Sequence, residues 1–241
     1  MSVELYPAID LRAGRVVRLT QGDYGRETVY GDDPVAVALS FVEAGAPWVH
    51  VVDLDAARTG NPINRTVVAA VAAAVGGRAK LQTGGGVRSE ADASALAAAG
   101  VTRVVMGSAA VNDPALVARV ACIVDVAVGL DHRGGDVAIH GWTQGSGQRL
   151  SDLLPAFPDA AAFVITDISR DGMLSGPDLD GLAAAVRATP IPVIASGGVA
   201  TLADLTALAA IDGLSGVITG RAIYEGRFTV AQGLAALRGT S

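Results

Sequence analysis

Six aspartates in this sequence stand at or just beyond the ends of short apolar runs: Asp10, Asp53, Asp55, Asp131, Asp167 and Asp171. A carboxylate that ends a buried strand has two ordinary uses. It caps or ion-pairs the turn that follows, or it faces a ligand. Held against apolar walls, its pKa rises, which suits a general acid. A second carboxylate can remain ionised and act as a base. Asp10 and Asp131 lie half a chain apart and are expected to face each other across the middle of a ligand.

Two glycine groups suggest a different chemistry. One is Gly84, Gly85 and Gly86 with Arg88, followed by Gly107 and Ser108. The other is Ser196, Gly197 and Gly198, followed by Gly220 and Arg221. Glycine lets backbone N–H groups approach a ligand closely, and each turn feeds a helix N-terminus, which favours anions. The plain reading is that these glycines only make tight turns. Two symmetric copies, each with an arginine nearby, point instead to two phosphates at opposite ends of one elongated ligand.

The remaining reactive residues are few. His50 falls inside an apolar run and reads as structural. His132 and His140 have no metal-site spacing. No Ser-His-Asp order, P-loop or dinucleotide fingerprint is present. The expected chemistry is acid–base work with no cofactor and no metal. Trp142, in a polar segment, is either a loop anchor or a lid that stacks on a flat ring.

The chain has 241 residues, 51% of them hydrophobic, 17% charged and only 4% aromatic. That is enough to bury a large core in one domain, built from Ala, Val, Leu and Ile. The net charge is −6. With no basic stripe, neither nucleic acid nor an anionic membrane is an expected partner. The single cysteine, Cys122, excludes an internal disulfide and reads as inert core. No signal peptide is evident, and no apolar run approaches about 18 residues. A cytoplasmic monomer is expected.

Apolar runs at 3–9, 48–52, 79–83, 101–106, 123–130 and 162–166, with two more inside 192–223, read as strands covered on both faces. Residues 15–19 read as an extension of the first strand. Helical segments are expected at 34–44, 63–75, 89–99, 114–121, from 150, from 177 or 178 to 188, after 200, and at 229–237. Asp33 and Ser89 are placed to cap two of them. Residues 20–32 and 133–149 read as long polar loops, the second with a small hairpin near 137–140. Strands alternating with helices in this number predict an α/β fold, a (β/α)8 TIM barrel, whose active site lies at the C-terminal ends of the strands. An open doubly wound sheet is the rival.

The chain also repeats itself. Gly85-Gly86-Val87 aligns with Gly197-Gly198-Val199, Gly107 with Gly220, Asp10 with Asp131, and Asp53 with Asp167. A twofold internal repeat of half-barrels, roughly 1–121 and 122–241 within one domain spanning 1–241, is therefore expected.

A series of motifs carries a resemblance. Tyr-Pro-Ala-Ile-Asp at 6–10, Gly-Arg-Val-Val-Arg-Leu at 14–19, Gln-Gly-Asp-Tyr-Gly at 21–25 and Val-Val-Asp-Leu-Asp at 51–55 come first. Gly-Gly-Gly-Val-Arg at 84–88, Val-Gly-Leu-Asp at 128–131, Gly-Trp at 141–142, Thr-Asp-Ile-Ser-Arg-Asp-Gly at 166–172 and Ala-Ser-Gly-Gly-Val at 195–199 follow in order. Over its whole length the chain resembles the phosphoribosylformimino-aminoimidazole carboxamide ribotide isomerases of histidine biosynthesis.

The resemblance implies a bis-phosphorylated small-molecule substrate, ProFAR, and its Amadori rearrangement from aminoaldose to aminoketose, PRFAR. It implies Asp10 as base, and either Asp131 or Asp171 as acid. It gives Thr166 the ring-opened intermediate to position, Trp142 the imidazole carboxamide to stack on, and Arg18 the first loop to steady. A related bifunctional isomerase also converts phosphoribosylanthranilate. Gln-Thr-Gly-Gly-Gly at 82–86, and His140 where that enzyme often has Arg, favour the histidine-only form. The sister cyclase of the pathway typically carries Lys at the position of Arg18 and lacks the Gly-Trp pair. A non-catalytic phosphosugar-binding barrel is the alternative outside enzymes, and carboxylates beside phosphates argue against it.

Overall fold

A computed structural model describes residues 3–20 and 22–239. Gln21, which opens the Gln-Gly-Asp-Tyr-Gly motif, lies outside the described residues. The strands are β1 (Glu4–Arg12), β2 (Arg15–Thr20), β3 (Asp23–Gly31), β4 (Trp48–Asp53), β5 (Lys80–Gly84), β6 (Arg103–Met106), β7 (Asp125–Arg133), β8 (Asp136–Ile139), β9 (Gln144–Arg149), β10 (Ala162–Asp167), β11 (Val193–Ser196) and β12 (Leu214–Thr219). Eight of them pair in parallel in the order β10-β11-β12-β1-β4-β5-β6-β7, and β10 also pairs with β7. That last pairing closes the sheet into a TIM barrel, and the open-sheet rival is set aside.

Strand alternation sorts the side chains into two layers. Tyr6, Ala8, Trp48, Ala127, Ala162, Val164, Ile194 and Ile218 form one buried cluster, the barrel interior. Leu5, Ile9, Leu11, Val49, Val51 and Val217 belong to a larger cluster shared with the surrounding helices. At the N-terminal end of the barrel, Tyr6 stacks on Trp48 with ring centroids 5.1 Å apart. The interior is thereby plugged below, and the smaller residues above it leave space at the mouth. Helices start where the sequence places caps. Asp33, Ser89, Asp178, Thr201 and Thr229 each accept a hydrogen bond from a first-turn backbone N–H, which satisfies donors the helix itself leaves open.

The segment 15–32 departs from expectation. Residues 15–19 do not extend β1, and Asp23–Gly31 form the strand β3 where a loop is expected. The chain reverses at Ala13 and Gly14, both at positive φ, and β2 returns antiparallel to β1 with β3 beside it. Charged and ring contacts hold this hairpin in place of the apolar alternation that would have revealed it. Arg12 pairs with Glu27 at 2.6 Å. The guanidinium groups of Arg12 and Arg58 lie 5.4 and 4.7 Å from the Tyr24 ring centroid. The Tyr24 hydroxyl donates to the Leu54 carbonyl at 2.8 Å. The 133–149 segment likewise forms the hairpin β8–β9, which is longer than the small one expected there.

Cys122 is also corrected. It is exposed, just past the helix Pro114–Ala121, and its thiol donates to the Ala118 carbonyl. The apolar run around it belongs to a helix end whose buried face is carried by Leu116, Val117 and Val120.

Candidate active site

The barrel mouth divides the six aspartates. Asp53 caps the short helix Leu54–Thr59 through the Ala56 N–H and accepts from Asn64 Nδ2 at 2.7 Å. Asp55 accepts from the Ala13 N–H at 2.7 Å and from Asn64. Asp167 pairs with Arg170 at 3.0 Å. These three hold loops together. Asp10, Asp131 and Asp171 instead line one cleft, with Arg18, His50, Trp142 and Thr166.

Their environments differ. Asp10, on β1, is 9% exposed. Burial pushes its carboxyl up to about 6, Arg18 draws it down, and the nearby Asp171 raises it. Arg18 comes from β2 and lies 2.8 Å from Asp10 Oδ2. A Cβ on Gly220 would come within 2.8 Å of Arg18 Cζ, so the same guanidinium reaches from Asp10 to the second glycine group. Across the barrel, burial also raises the Asp131 carboxyl. Hydrogen bonds from Trp142 and Thr166 pull it back, and Asp171 raises it. The Trp142 indole donates to Asp131 Oδ2 at 2.7 Å.

The glycine groups sit at opposite sides of the same cleft. Gly85, Gly86, Gly107 and Ser108 line one end, and Ser196, Gly197, Gly198 and Gly220 line the other. Arg88 lines the first end and donates to the Ala57 carbonyl at 3.0 Å. Arg221 lines the second, where it pairs with Glu225 at 2.6 Å and donates to the Gly172 carbonyl. Gly85 has φ +92, and a Cβ there would collide with the Asp53 carbonyl oxygen. Gly85→Ala therefore combines a disfavoured conformation with a backbone clash, at a cost of about 1–3 kcal/mol. The expected result is a melting temperature lowered by at least about 2–4 °C in a calorimetric scan. An unchanged transition would contradict the close approach.

The loops meet above the cleft. His140, Gly141 and Trp142 all have positive φ, and this run turns the indole inward. Trp142 is therefore an anchor in this state, held on Asp131. Its ring also touches the first hairpin: a Cβ on Gly22 would stand 2.6 Å from Trp142 Cε3. The His140 N–H donates to the Ser108 hydroxyl at 2.8 Å, which ties the β8–β9 hairpin to the first glycine group. His132 is structural, its Nδ1 accepting from the Gly135 N–H. Sequence reasoning missed Gly22 and the cleft position of His50. Alternation offered a signal for the second, since His50 stands two residues after inward-facing Trp48.

The arrangement is one cleft with a glycine group at each end and the carboxyl groups of Asp10, Asp131 and Asp171 between them. A profile of histidine biosynthesis proteins matches residues 4–229. The chain belongs to that family. A Rhizorhabdus wittichii protein is 48% identical over 99% of this chain and 100% of its own length. A Bacillus velezensis protein is 46% identical over 97% of each chain, and one from Shouchella clausii is 44% identical over 98% of each. All three are named 1-(5-phosphoribosyl)-5-((5-phosphoribosylamino)methylideneamino)imidazole-4-carboxamide isomerase. Among the described residues of this histidine biosynthesis protein, no helix is long and apolar enough to cross a membrane. Nor is any group of three or more His, Cys, Asp or Glu side chains placed to hold a metal ion.

Proposed function

We propose that this protein converts ProFAR to PRFAR, the aldose–ketose isomerisation of histidine biosynthesis. One observation carries the reading: Asp10, Asp131 and Asp171 converge between two glycine-lined ends of one cleft. That geometry fits a substrate with a phosphate at each end and a reacting sugar between, and the full-length relatives bear the name of that activity.

The residues act in sequence. Backbone N–H groups at Gly85, Gly86, Gly107 and Ser108 hold one phosphate, with Arg88 beside them. Those at Ser196, Gly197, Gly198 and Gly220 hold the other, with Arg221. A carboxylic acid gives its proton to the ribose ring oxygen, the ring C–O bond breaks, and a protonated Schiff base forms. Asp10 then takes the C2′ proton. The electron pair moves into the C1′–C2′ bond to give an enolamine, which tautomerises to the ketone. No electron leaves the substrate, so acid–base groups suffice. Asp171 suits the acid role, because its carboxylate makes no hydrogen bond to any described residue, whereas Asp131 already accepts from two. Thr166, bonded to Asp131, steadies the opened chain, and Trp142 stacks on the carboxamide-bearing ring once substrate displaces it from Asp131.

The two ends support a duplicated half-barrel, 1–121 and 122–241. A Cβ on Gly85 would meet the Asp53 carbonyl, and one on Gly197 would meet the Asp167 carbonyl. All groups the reaction needs come from one chain, so a monomer suffices.

A side-by-side assay with ProFAR and phosphoribosylanthranilate tests the reading. Turnover of ProFAR without added metal or nucleotide is expected. For the single-phosphate substrate, kcat/KM is expected to be lower by about 10³-fold or more, because half of the anion contacts go unused. Loss of activity with a chelator, or inertness toward ProFAR, would overturn it. Comparable rates on both substrates would make the enzyme bifunctional.

The pH profile follows from Asp10. As base it must be ionised, and burial has moved its protonation up to about 6. As pH falls, kcat/KM should drop through about 6 instead of about 4, the range of a solvated carboxylate. Arg18→Gln removes the charge that favours the carboxylate, so the limb should move to higher pH. A limb near 4 in the wild type would contradict the assignment.

A further inference from the structure

His50 reads from sequence as a structural core histidine, yet it lines the cleft. It sits on β4, opposite Ala8 of β1, one inward-facing position below Asp10 and Val52. Its Nδ1 lies 3.0 Å from Gln82 Nε2. Taken alone, that contact leaves the tautomer open. Arg103 decides it. A guanidinium only donates, and Arg103 Nε lies 2.7 Å from Gln82 Oε1. The amide oxygen therefore faces Arg103, and the amide NH2 donates to the ring. Nδ1 is the acceptor, and the ring proton is on Nε2.

Arg103 is itself fixed. Its Nη2 donates to the Tyr6 hydroxyl at 2.9 Å, and its guanidinium stacks 4.2 Å from the Trp48 ring centroid. Glu4 accepts from the Trp48 indole at 2.8 Å. The relay from the barrel floor thus runs in one direction and ends on Nε2–H. Among the described residues Nε2 has no partner, and it is not one of the buried polar atoms left unsatisfied. It is open to the cleft.

We propose that His50 contacts the substrate as a neutral imidazole donating from Nε2 to an oxygen of the reacting sugar, and that Gln82 and Arg103 are positioning residues that fix its tautomer. The proposal rests on the isomerase reading above, in which that sugar lies against Asp10. Neutrality matters here, because an imidazolium beside Asp10 would pair with the base and quench it. Burial, with Arg18 and Arg103 close by, pushes the His50 pKa down to about 3, so the ring stays neutral wherever Asp10 is ionised.

The test combines nitrogen-15 NMR of the imidazoles with kinetics. The chain has only 3 histidines, so His50 can be assigned by substitution. The free wild-type protein should show His50 protonated on Nε2 alone, unchanged between about pH 5 and 8, and added PRFAR should shift that Nε2–H resonance. Gln82→Glu presents only acceptors and should move the proton to Nδ1. It should lower kcat about 10²-fold, the usual loss of one preorganised donor, with KM little changed. His50→Phe should lose a similar factor, while His50→Gln, which keeps a side-chain N–H donor, should recover most of it. A wild-type ring protonated on Nδ1 overturns the relay. Undiminished kcat in His50→Phe, or in Gln82→Glu with its tautomer flipped, overturns the substrate contact. Wild-type enzyme inert toward ProFAR would instead defeat the isomerase reading, and with it the sugar contact, while the spectrum of the free protein still judges the relay.

Discussion

Asp10→Asn is expected to lower kcat by about 10³-fold, within the range seen when a general base is removed, while leaving affinity for PRFAR within a few-fold of wild type. The substitution keeps the shape of the side chain. Its amide oxygen still accepts from Arg18, which in the native protein lies 2.8 Å from Asp10 Oδ2, so the β2–β3 hairpin stays docked. The two glycine-lined ends are untouched, because they lie on other strands. Only the ability to take a proton from C2′ is lost. Steady-state kinetics and calorimetric titration with PRFAR separate the two quantities. A kcat within tenfold of wild type would remove Asp10 from the base role. Affinity falling in step with kcat would mean that Asp10 holds the ligand and does not act on it.

The barrel was legible because its signals are local. Eight apolar runs separated by capped helical segments permit few topologies, and the glycine turns mark where strands end. The annexes were not legible by the same means. The β2–β3 hairpin is held by Arg12, Arg58 and Tyr24, whose partners Glu27 and Leu54 are set by the fold. No alternation of apolar and polar residues announces such a hairpin, and its charged, glycine-punctuated sequence resembles a loop.

Within the site, the sequence identified residue types but could not sort them. Asp10 and Asp53 both follow apolar runs. Asp53 turns to cap the next helix through Ala56, while Asp10 continues inside a longer strand and faces the cleft. The difference lies in one position of strand register. At His50 the signal was phase, carried only by its spacing of two from Trp48. Its neighbours in sequence are apolar, so it reads as core, but the odd or even position on β4 decides whether it faces helices or ligand. Gly22 carried no signal of its own, since its partner Trp142 is distant in sequence and the contact exists only where two hairpins meet.

The second large effect separates the two candidate acids. Asp10, Asp131 and Asp171 share the cleft, with Arg18 beside Asp10 and Arg88 and Arg221 toward its ends, and carboxyl groups gathered in one site favour keeping a proton on one of them. Asp131 is poorly placed to hand that proton over, because it accepts from both the Trp142 indole and the Thr166 hydroxyl, and both bonds favour its ionised form. Asp171 lies on the loop after β10, with Gly172 next to it and Gly197 packed behind: a Cβ on Gly197 would stand 3.5 Å from Asp171 Cβ. It can turn toward a ring oxygen without first giving up a hydrogen bond to any described residue. Asp171→Asn should therefore lower kcat by about 10³-fold with KM little changed. Asp131→Asn should lose far less kcat, since its amide oxygen can still accept from the Trp142 indole and no proton donor to the ring oxygen is removed. The measurement is a comparison of both variants under single-turnover conditions, where product release cannot mask the proton transfer. If Asp131→Asn proves the deader enzyme and Asp171→Asn merely binds weakly, the acid role passes to Asp131, whose carboxyl burial already raises.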